Sequence, residues 1–275
     1  MAGMGSQSAP GRGARILTRT AGAGDWISQV TIEHGPPDVL GRFFLAADAE
    51  CRRLGVTLSF GTFDELVAAN RANRDSWKPM MPILDPAYQD FNDDNAFVFI
   101  GRNEQGEIVA TQAAGLLRLG NGTYHDFAQS LQLNYRDPER MKAPNERCLP
   151  TAPSLKAMRG KVLFGGAVWY HPSVRKSGLA ALTPRISRAY GYTKWNIDYA
   201  TAFIVEGPLK GGLGRNAGYP HVEWGITYEN TPMGSFQAAL CWMTPDFLID
   251  DLRQFLGSAA SEVDAAGGER RAQDA

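Results

Sequence analysis

Residues 161–195 combine an apolar run, a basic turn with a glycine and a helix-like segment, and they constrain the fold most. The run KVLFGGAVWY (161–170) has the composition of a strand, and His171 and Pro172 end it. The segment LAALTPRISRAYGYTKW (179–195) has the composition of a helix. Pro184 favours a regular start at that residue, with Thr183 as its cap and 178–182 as a looser turn. These three pieces predict a strand, a turn and a helix in direct succession.

The turn RKSGLA (175–180) has the features of a phosphate site. The first amides of a helix lack partners inside the helix, and the helix dipole adds partial positive charge there, so an anion can bind. Gly178 has no Cβ and lets the backbone approach a ligand, while Arg175 and Lys176 can add charge-assisted contacts. We therefore predict a phosphate-bearing ligand here, with a plain basic surface turn as the alternative.

Composition limits the classes of protein that fit. The chain has 275 residues, of which 44% are hydrophobic and 21% charged, and this fits one domain with embellishments or at most two small ones. The net charge of −1 gives no indication of nucleic acid as a partner. No run of about 18 apolar residues is present, so no membrane span is expected.

The cysteines argue against disulfides and metal. Cys51, Cys148 and Cys241 lie far apart, and an odd, sparse count is typical of reduced thiols in a cytoplasmic protein. Neither a CxxC pair nor a zinc-like Cys/His spacing is present, so no metal site is predicted.

Both ends of the chain have the composition of tails. Residues 1–30 are rich in Gly, Ala and Ser and lack the apolar segment of a secretory signal. A disordered tail is predicted there, and three arginines before the first acidic residue make a transit peptide the weaker alternative. Residues 257–275 are likewise predicted to be a disordered tail, which leaves 31–256 as one domain.

The first half of that domain predicts two helices and three strands. In chain order, the patterns predict a helix over 37–54, a strand over 56–60, a helix over 63–77 and two strands within 96–119. Thr62 and Glu65 have the spacing of a capping box at the start of the second helix. The Pro-rich segment 78–95 is a long loop, and such loops tend to be functional or disordered.

The second half contains an insertion and further strands. The insertion runs from about Gly120 to Arg159 and predicts a helix over 123–135 followed by a loop. After the phosphate turn the patterns predict a strand over 196–206, two strands within 207–229 and 235–244, and a helix over 245–256.

The turn and its neighbours resemble the coenzyme A loop of the GNAT acyl-CoA N-acyltransferase superfamily. The family pattern is Q/R-x-x-G-x-G/A, and Arg175, Gly178 and Ala180 stand at its fixed positions. The order of the predicted elements over about 37–245 also follows that fold. The resemblance implies an α+β, three-layer, GNAT-like fold with a mixed central sheet and helices on both faces. The insertion at 120–159 departs from a minimal domain and would shape the acceptor side.

The resemblance implies transfer of an acyl group, acetyl above all, from acetyl-CoA or another acyl-CoA to an amine. The amine of a small molecule, or another amino group, would attack the thioester directly, and a homodimer is left open. The implied coenzyme-binding residues come from the strand end and the turn: Trp169, Tyr170, Arg175, Lys176, Ser177, Gly178, Leu179, Ala180 and Ala181. A backbone N–H near the strand end would polarise the thioester carbonyl.

The resemblance also implies catalytic candidates. His171 follows the strand and is a candidate base, although His-Pro at a strand end is more often a turn. Glu223 is a second candidate base, acting through a water, with a surface carboxylate as the alternative. Many family members place a tyrosine after the fifth strand as the general acid that protonates the thiolate. This chain has Leu213 and Gly214 at the equivalent positions. Tyr190, Tyr192 and Tyr219 are candidate substitutes for that tyrosine.

Other readings stay open beside the N-acyltransferase. One is an acyl-CoA-binding module without chemistry, which the missing tyrosine favours. Another is an enzyme similar to acyl-homoserine-lactone synthases, to which residues 101–119 bear a loose likeness. The segment GLGRNA (212–217) matches a dinucleotide-binding pattern, but too few residues follow it for a second βαβ half. A glycine-rich crossing between strands is preferred there.

Overall fold

The structure is a computed structural model that describes residues 26–258. Its helices are α1 (Pro37–Arg53), α2 (Phe63–Ala72), α3 (Tyr124–Gln129), α4 (Pro138–Met141), α5 (Leu179–Trp195), α6 (Glu206–Lys210), α7 (Leu213–Asn216) and α8 (245–258). Its strands are β1 (Thr57–Gly61), β2 (Ala96–Arg102), β3 (Ile108–Arg118), β4 (Arg147–Pro150), β5 (Lys161–Tyr170), β6 (Tyr199–Val205), β7 (His221–Thr231) and β8 (Gly234–Met243).

The eight strands form one mixed sheet with helices on both faces. The strand order is β1-β2-β3-β5-β6-β8-β7-β4, and β5 and β6 are parallel while the other neighbours are antiparallel. One core lies under α1, α5 and α8, and a second lies under α2, α3 and the rest of the insertion. The predicted α+β class with a mixed central sheet is therefore confirmed.

Local sequence patterns predicted the two N-terminal helices, α1 and α2. The predicted apolar face of α1 is buried, with Phe43 and Ala47 fully enclosed. At the start of α2, Thr62 Oγ1 accepts the Glu65 N–H and the Glu65 carboxylate accepts the Thr62 N–H, as the capping box predicts. The predicted helix over 63–77 is too long, because α2 ends at Ala72, before a run of turns that begins at Asn73.

The domain begins before the predicted boundary at residue 31. Trp26 is fully buried, its indole N–H donates to Asp48 Oδ1 at 2.7 Å, and its ring packs edge-on against Phe44 and Phe99. The tail prediction is therefore wrong for residues 26–30. Residues 1–25 and 259–275 lie outside the described residues, so the tails predicted there remain predictions.

The insertion contributes a strand that the sequence did not predict. Its helix is shorter than predicted and ends at Gln129, and β4 then pairs with β7 at the far edge of the sheet. The Gly225 carbonyl accepts the amides of Thr151 and Ala152, so the end of β4 is tied to β7. The insertion thus adds the outermost strand next to β7.

Candidate active site

The parallel pair β5 and β6 separates after a few residues, and we call the point of separation the fork. The two strands pair at Val162, Leu163 and Phe164 of β5, and no pairing is found beyond Phe164 among the described residues. A bulge in the β3–β5 pairing follows, where Ala167 has φ +49°. Bulges bend a strand, so this one directs β5 away from β6.

A cavity of about 440 Å³ opens at the fork. Its walls come from Gly165–Val168 of β5, from Ala202–Val205 of β6, from α5 and from the loop after α2. This volume lies within the range of small-molecule sites. The lining is largely apolar, and its titratable side chains are those of Lys78, Arg188 and Tyr219.

The long loop lines this cavity and the insertion does not. Met80, Met81 and Leu84 belong to the loop predicted at 78–95 and form part of the wall. No residue of 120–159 lies among the lining residues, so the expected direct role of the insertion in the acceptor pocket is not supported. The insertion supports the cavity wall indirectly. Its Tyr124 stacks on Phe203, which lines the cavity, with ring centroids 5.9 Å apart.

The predicted phosphate turn has the backbone geometry of an anion site. Gly178 caps α5 with φ +106°, a conformation that strains any residue with a Cβ, and Lys176 has φ +64°. Among the described residues, no partner is found for the amides of Lys176, Ser177, Gly178 and Ala180. The Ala181 amide donates to the Gly178 carbonyl at 2.9 Å. Four amides of the predicted set are therefore unpaired at the start of a long helix.

Arg175 stabilises the turn through backbone contacts. Its Nε donates to the Tyr170 carbonyl at 3.0 Å, and its Nη2 donates to the Ser76 carbonyl at 3.2 Å. The Ser177 hydroxyl donates to the Val174 carbonyl at 2.7 Å. These two side chains therefore hold the turn against the end of β5 and the segment after α2, rather than extending freely towards a ligand.

The aromatic side chains at the end of β5 position the cavity wall without lining it. Trp169 stacks on Trp77, with centroids 5.3 Å apart, and its indole N–H donates to Ser76 Oγ at 3.1 Å. The Tyr170 hydroxyl lies 2.6 Å from Thr183 Oγ1 under the first turns of α5. Of these residues, Trp77 contacts the cavity directly.

Tyr219 is the predicted catalytic residue that lines the cavity. Its hydroxyl lies 4.0 Å from the place that a Cβ on Gly165 would occupy, and Gly165 is the first residue of β5 beyond the fork. Burial raises the pKa of the phenol, and the nearby Arg188 guanidinium only partly opposes this. The hydroxyl therefore keeps its proton at neutral pH, as a proton donor must.

His171 caps a turn at a distance from the cavity. The Ser173 N–H donates to Nδ1 at 3.2 Å, and Ser173 Oγ lies 2.7 Å from the same nitrogen. The side chain thus starts the short 3-10 turn Pro172–Val174. His171 is not among the residues that line the cavity, and the geometry favours the turn interpretation weighed above.

Glu223 fastens the insertion to the sheet. Its carboxylate accepts the Ser154 hydroxyl and amide at 2.5 and 3.1 Å and the Trp242 indole N–H at 2.9 Å. Partial burial acts to raise the pKa of this carboxyl, but the hydrogen bonds from Ser154 and Trp242 outweigh it and lower the pKa. A carboxylate held in this way, and outside the cavity lining, has a structural rather than a basic role.

Replacing Glu223 with Gln is expected to reduce stability more than activity. The lost charge-assisted bonds of a half-exposed group are worth about 1 kcal/mol, or about 2–4 °C in Tm. Because the folded pKa is lowered, the stabilisation by Glu223 is present above the unfolded pKa and is lost as pH falls through the folded pKa. Melting curves of wild type and Glu223→Gln should therefore converge in acid. A large fall in kcat at unchanged Tm would contradict this role.

Four polar residues at the cavity were missed by the sequence analysis: Gln112, Ser187, Arg188 and Ser235. Pro184, Ser187 and Arg188 have the i, i+3, i+4 spacing of one helix face, and that face of α5 meets the cavity. A serine and an arginine on the inward face of a helix were the available signal. The side chain of Arg188 is almost fully buried, with 2% exposed.

The glycine-rich segment forms a crossing between strands, as preferred above. Residues 206–216 contain the short helices α6 and α7, and the chain then enters β7, which pairs antiparallel with β8. A second parallel βαβ half, which a dinucleotide site requires, does not follow within the described residues.

The three cysteines are free, and burial raises the pKa of each thiol to about 12. They are therefore thiols at neutral pH. Between residues 26 and 258, no three His, Cys, Asp or Glu side chains come together as a metal site would require. Over the same residues, no helix combines the length and apolar character needed to cross a membrane.

Comparison with solved structures finds similarity to acetyltransferases. The spermidine/spermine N-acetyltransferase SpeG from Vibrio cholerae is 10% identical over 71% of this chain and 97% of that chain, with a TM-score of 0.41. AAC(6')-Ib with paromomycin and acetyl-CoA is 15% identical over 70% and 95%, with a TM-score of 0.39. The aminoglycoside acetyltransferase AAC(6')-Ib with coenzyme A and kanamycin is 16% identical over 70% and 96%, also at 0.39. No protein-family model and no curated protein matches the chain.

Proposed function

We propose that this protein is an acyl-CoA-dependent N-acyltransferase of the GNAT type that transfers an acyl group to an amine. The observation that carries the proposal is the arrangement of two features along α5. Its start presents four unpaired amides between Lys176 and Ala180, and its face from Pro184 onward lines the cavity at the fork. Pro184 lies six residues after Gly178, about 9 Å along the helix. A phosphate at the turn and a thioester at the fork would then belong to one ligand.

The lining residues support a direct transfer. The pyrophosphate would bind the amides of Lys176, Ser177, Gly178 and Ala180, and the strand edges that separate at the fork leave backbone groups for the pantetheine arm. The uncharged amine would attack the thioester carbonyl, the C–S bond would break, and Tyr219 would donate its proton to the departing thiolate. The nitrogen would release its extra proton to a water, and the Tyr219 phenolate would regain one from solvent. Alignment of the two substrates in one cavity would supply much of the rate.

The second candidate function is binding of acyl-CoA without turnover. The observation that favours it is the lining of the cavity, which holds no carboxylate and no imidazole among the described residues. Neither His171 nor Glu223 reaches the cavity, so the amine would have to arrive uncharged or lose its proton to a water.

Release of free CoA from acetyl-CoA, measured with a thiol reagent over a panel of amines, tests the proposal. The buried cysteines of the protein should react slowly and leave a low background. Amine-dependent thiol release above the no-enzyme rate is the expected result. Saturable binding of acetyl-CoA with no release across the panel would favour the second candidate instead.

A further inference from the structure

Unpaired buried polar atoms are concentrated at the cavity. Five buried side-chain nitrogen and oxygen atoms lack a hydrogen-bond partner among the described residues, and four of them belong to residues that line the cavity. These four are Gln112 Oε1, Ser187 Oγ, and Nε and Nη1 of Arg188. Buried polar groups in proteins are nearly always paired, so such a cluster is suited to a ligand that supplies the partners.

Arg188 is only partly satisfied by the protein. Its Nη2 donates to the Ala217 carbonyl, and its guanidinium carbon lies 4.4 Å from the centroid of the Tyr219 ring. These contacts fix the plane of the guanidinium and leave Nε and Nη1 unpaired. Since arginine keeps its charge in proteins, the result is a fixed buried cation with two free donors.

The nearby acid does not balance this charge. Asp251 accepts two bonds from Arg185, from Nε and Nη2, each at 2.8 Å. The same carboxylate lies 3.9 Å from Nη2 of Arg188, beyond hydrogen-bonding distance. One carboxylate therefore faces two guanidinium groups, and an excess positive charge remains beside the cavity. A buried charge without a full partner is costly, and an anionic ligand would offset that cost.

We propose that Arg188 and Ser187 form a binding subsite for a substrate carboxylate. The guanidinium donors and the serine hydroxyl match the acceptor oxygens of a carboxylate, and Gln112 Oε1 would accept an N–H of the same ligand or of the pantetheine arm. Arg188 lies ten residues after Gly178, about 15 Å along α5, so this subsite is separate from the phosphate turn. The inference rests on the proposed function and specifies its substrate: one of the two reactants bears a carboxylate.

The carboxylate has two sources that one experiment can distinguish. For the acyl group, the probes are succinyl-CoA and butyryl-CoA, which have equal chain lengths and differ in the terminal carboxylate. For the acceptor, they are L-leucine and its decarboxylated analogue 3-methylbutylamine, titrated with and without free CoA. Calorimetric titration of the full-length protein is expected to show, in one pair, at least about tenfold tighter binding of the carboxylate-bearing probe.

Substitutions at Arg188 and Ser187 test whether the preference for the carboxylate-bearing probe arises at this subsite. Arg188→Met should abolish the preference, and Ser187→Ala should reduce it several-fold with less effect on packing. Arg215→Met makes the same chemical change at an exposed arginine of α7 and should preserve the preference. Melting curves confirm that each variant is folded, and if Arg188→Met is not, Ser187→Ala provides the test.

The outcomes separate the two proposals. If CoA binds and neither pair shows a preference, the carboxylate subsite is wrong and Arg188 is structural. A preference that persists in both folded Arg188→Met and Ser187→Ala would overturn the subsite as well. If CoA does not bind, the acyltransferase proposal fails, while the leucine pair without CoA still tests the subsite.

Discussion

Gly178→Glu is expected to weaken binding of both acetyl-CoA and free CoA at least about hundredfold, a change of about 3 kcal/mol. The new carboxylate would stand beside the four unpaired amides and repel the pyrophosphate that they are expected to bind. Each charge-assisted hydrogen bond lost is worth about 1.5–3 kcal/mol, so loss of two of them suffices. Calorimetric titration of both ligands into the folded variant measures the effect.

Gly178→Ala separates the charge from the backbone strain. A Cβ at this position has space, because its nearest neighbour would be Leu54 Cδ1 at 3.8 Å, but φ of +106° strains any L-residue. The alanine variant should therefore lose about 1–2 kcal/mol of stability and retain CoA binding within about tenfold. Normal CoA binding by folded Gly178→Glu would mean that the phosphate site lies elsewhere.

Tyr219→Phe is expected to lower kcat by at least about a hundredfold while leaving the affinity for CoA unchanged. The substitution keeps the ring against Arg188 and removes the hydroxyl, which lies near Gly165 at the fork and interacts with the Arg188 side chain. Burial raises the pKa of this phenol, so any loss of rate from its deprotonation should lie above pH 10. Steady-state kinetics with the best amine of the panel, across pH, make the measurement.

Tyr192→Phe provides the matched control for Tyr219→Phe. Tyr192 lies on α5 outside the cavity lining, and its loss of a hydroxyl should leave kcat and KM near those of wild type. An unchanged kcat in Tyr219→Phe would remove Tyr219 from the mechanism. The proton donor would then have to be a water or another group.

The parts of the fold that the sequence predicted correctly depend on local signals. β5 and the end of α5 fall at the predicted residues, because an apolar run, a glycine with positive φ and a helical segment follow one another directly. The regular helix begins at Leu179 and not at Pro184, and the proline lies inside it. Trp26 and β4 were missed for the opposite reason. Burial of Trp26 depends on contacts with α1 and β2, which are distant in sequence. In β4 the exposed residue is the apolar Leu149 and the next, buried residue is Pro150, so the sequence lacks the alternation of polar and apolar residues that would predict a strand.

The candidate site also has a part that local sequence predicts and a part that depends on contacts between distant residues. The phosphate turn was predictable because its function resides in consecutive backbone amides. Arg188 was not, since its surroundings come from Ala217 and Tyr219, which are distant in sequence and meet it only in the folded chain. Glu223 and His171 were candidate bases because a carboxylate and an imidazole stand at predicted strand ends. In the folded chain their side chains form hydrogen bonds with Ser154 and Ser173.

Calorimetric titration of the purified protein with acetyl-CoA and free CoA, with NADH as comparator, tests the central claim most directly. The account predicts micromolar binding of both coenzyme A species at one site per chain and no comparable binding of NADH. Absence of CoA binding, or selective binding of NADH, would contradict the acyltransferase proposal.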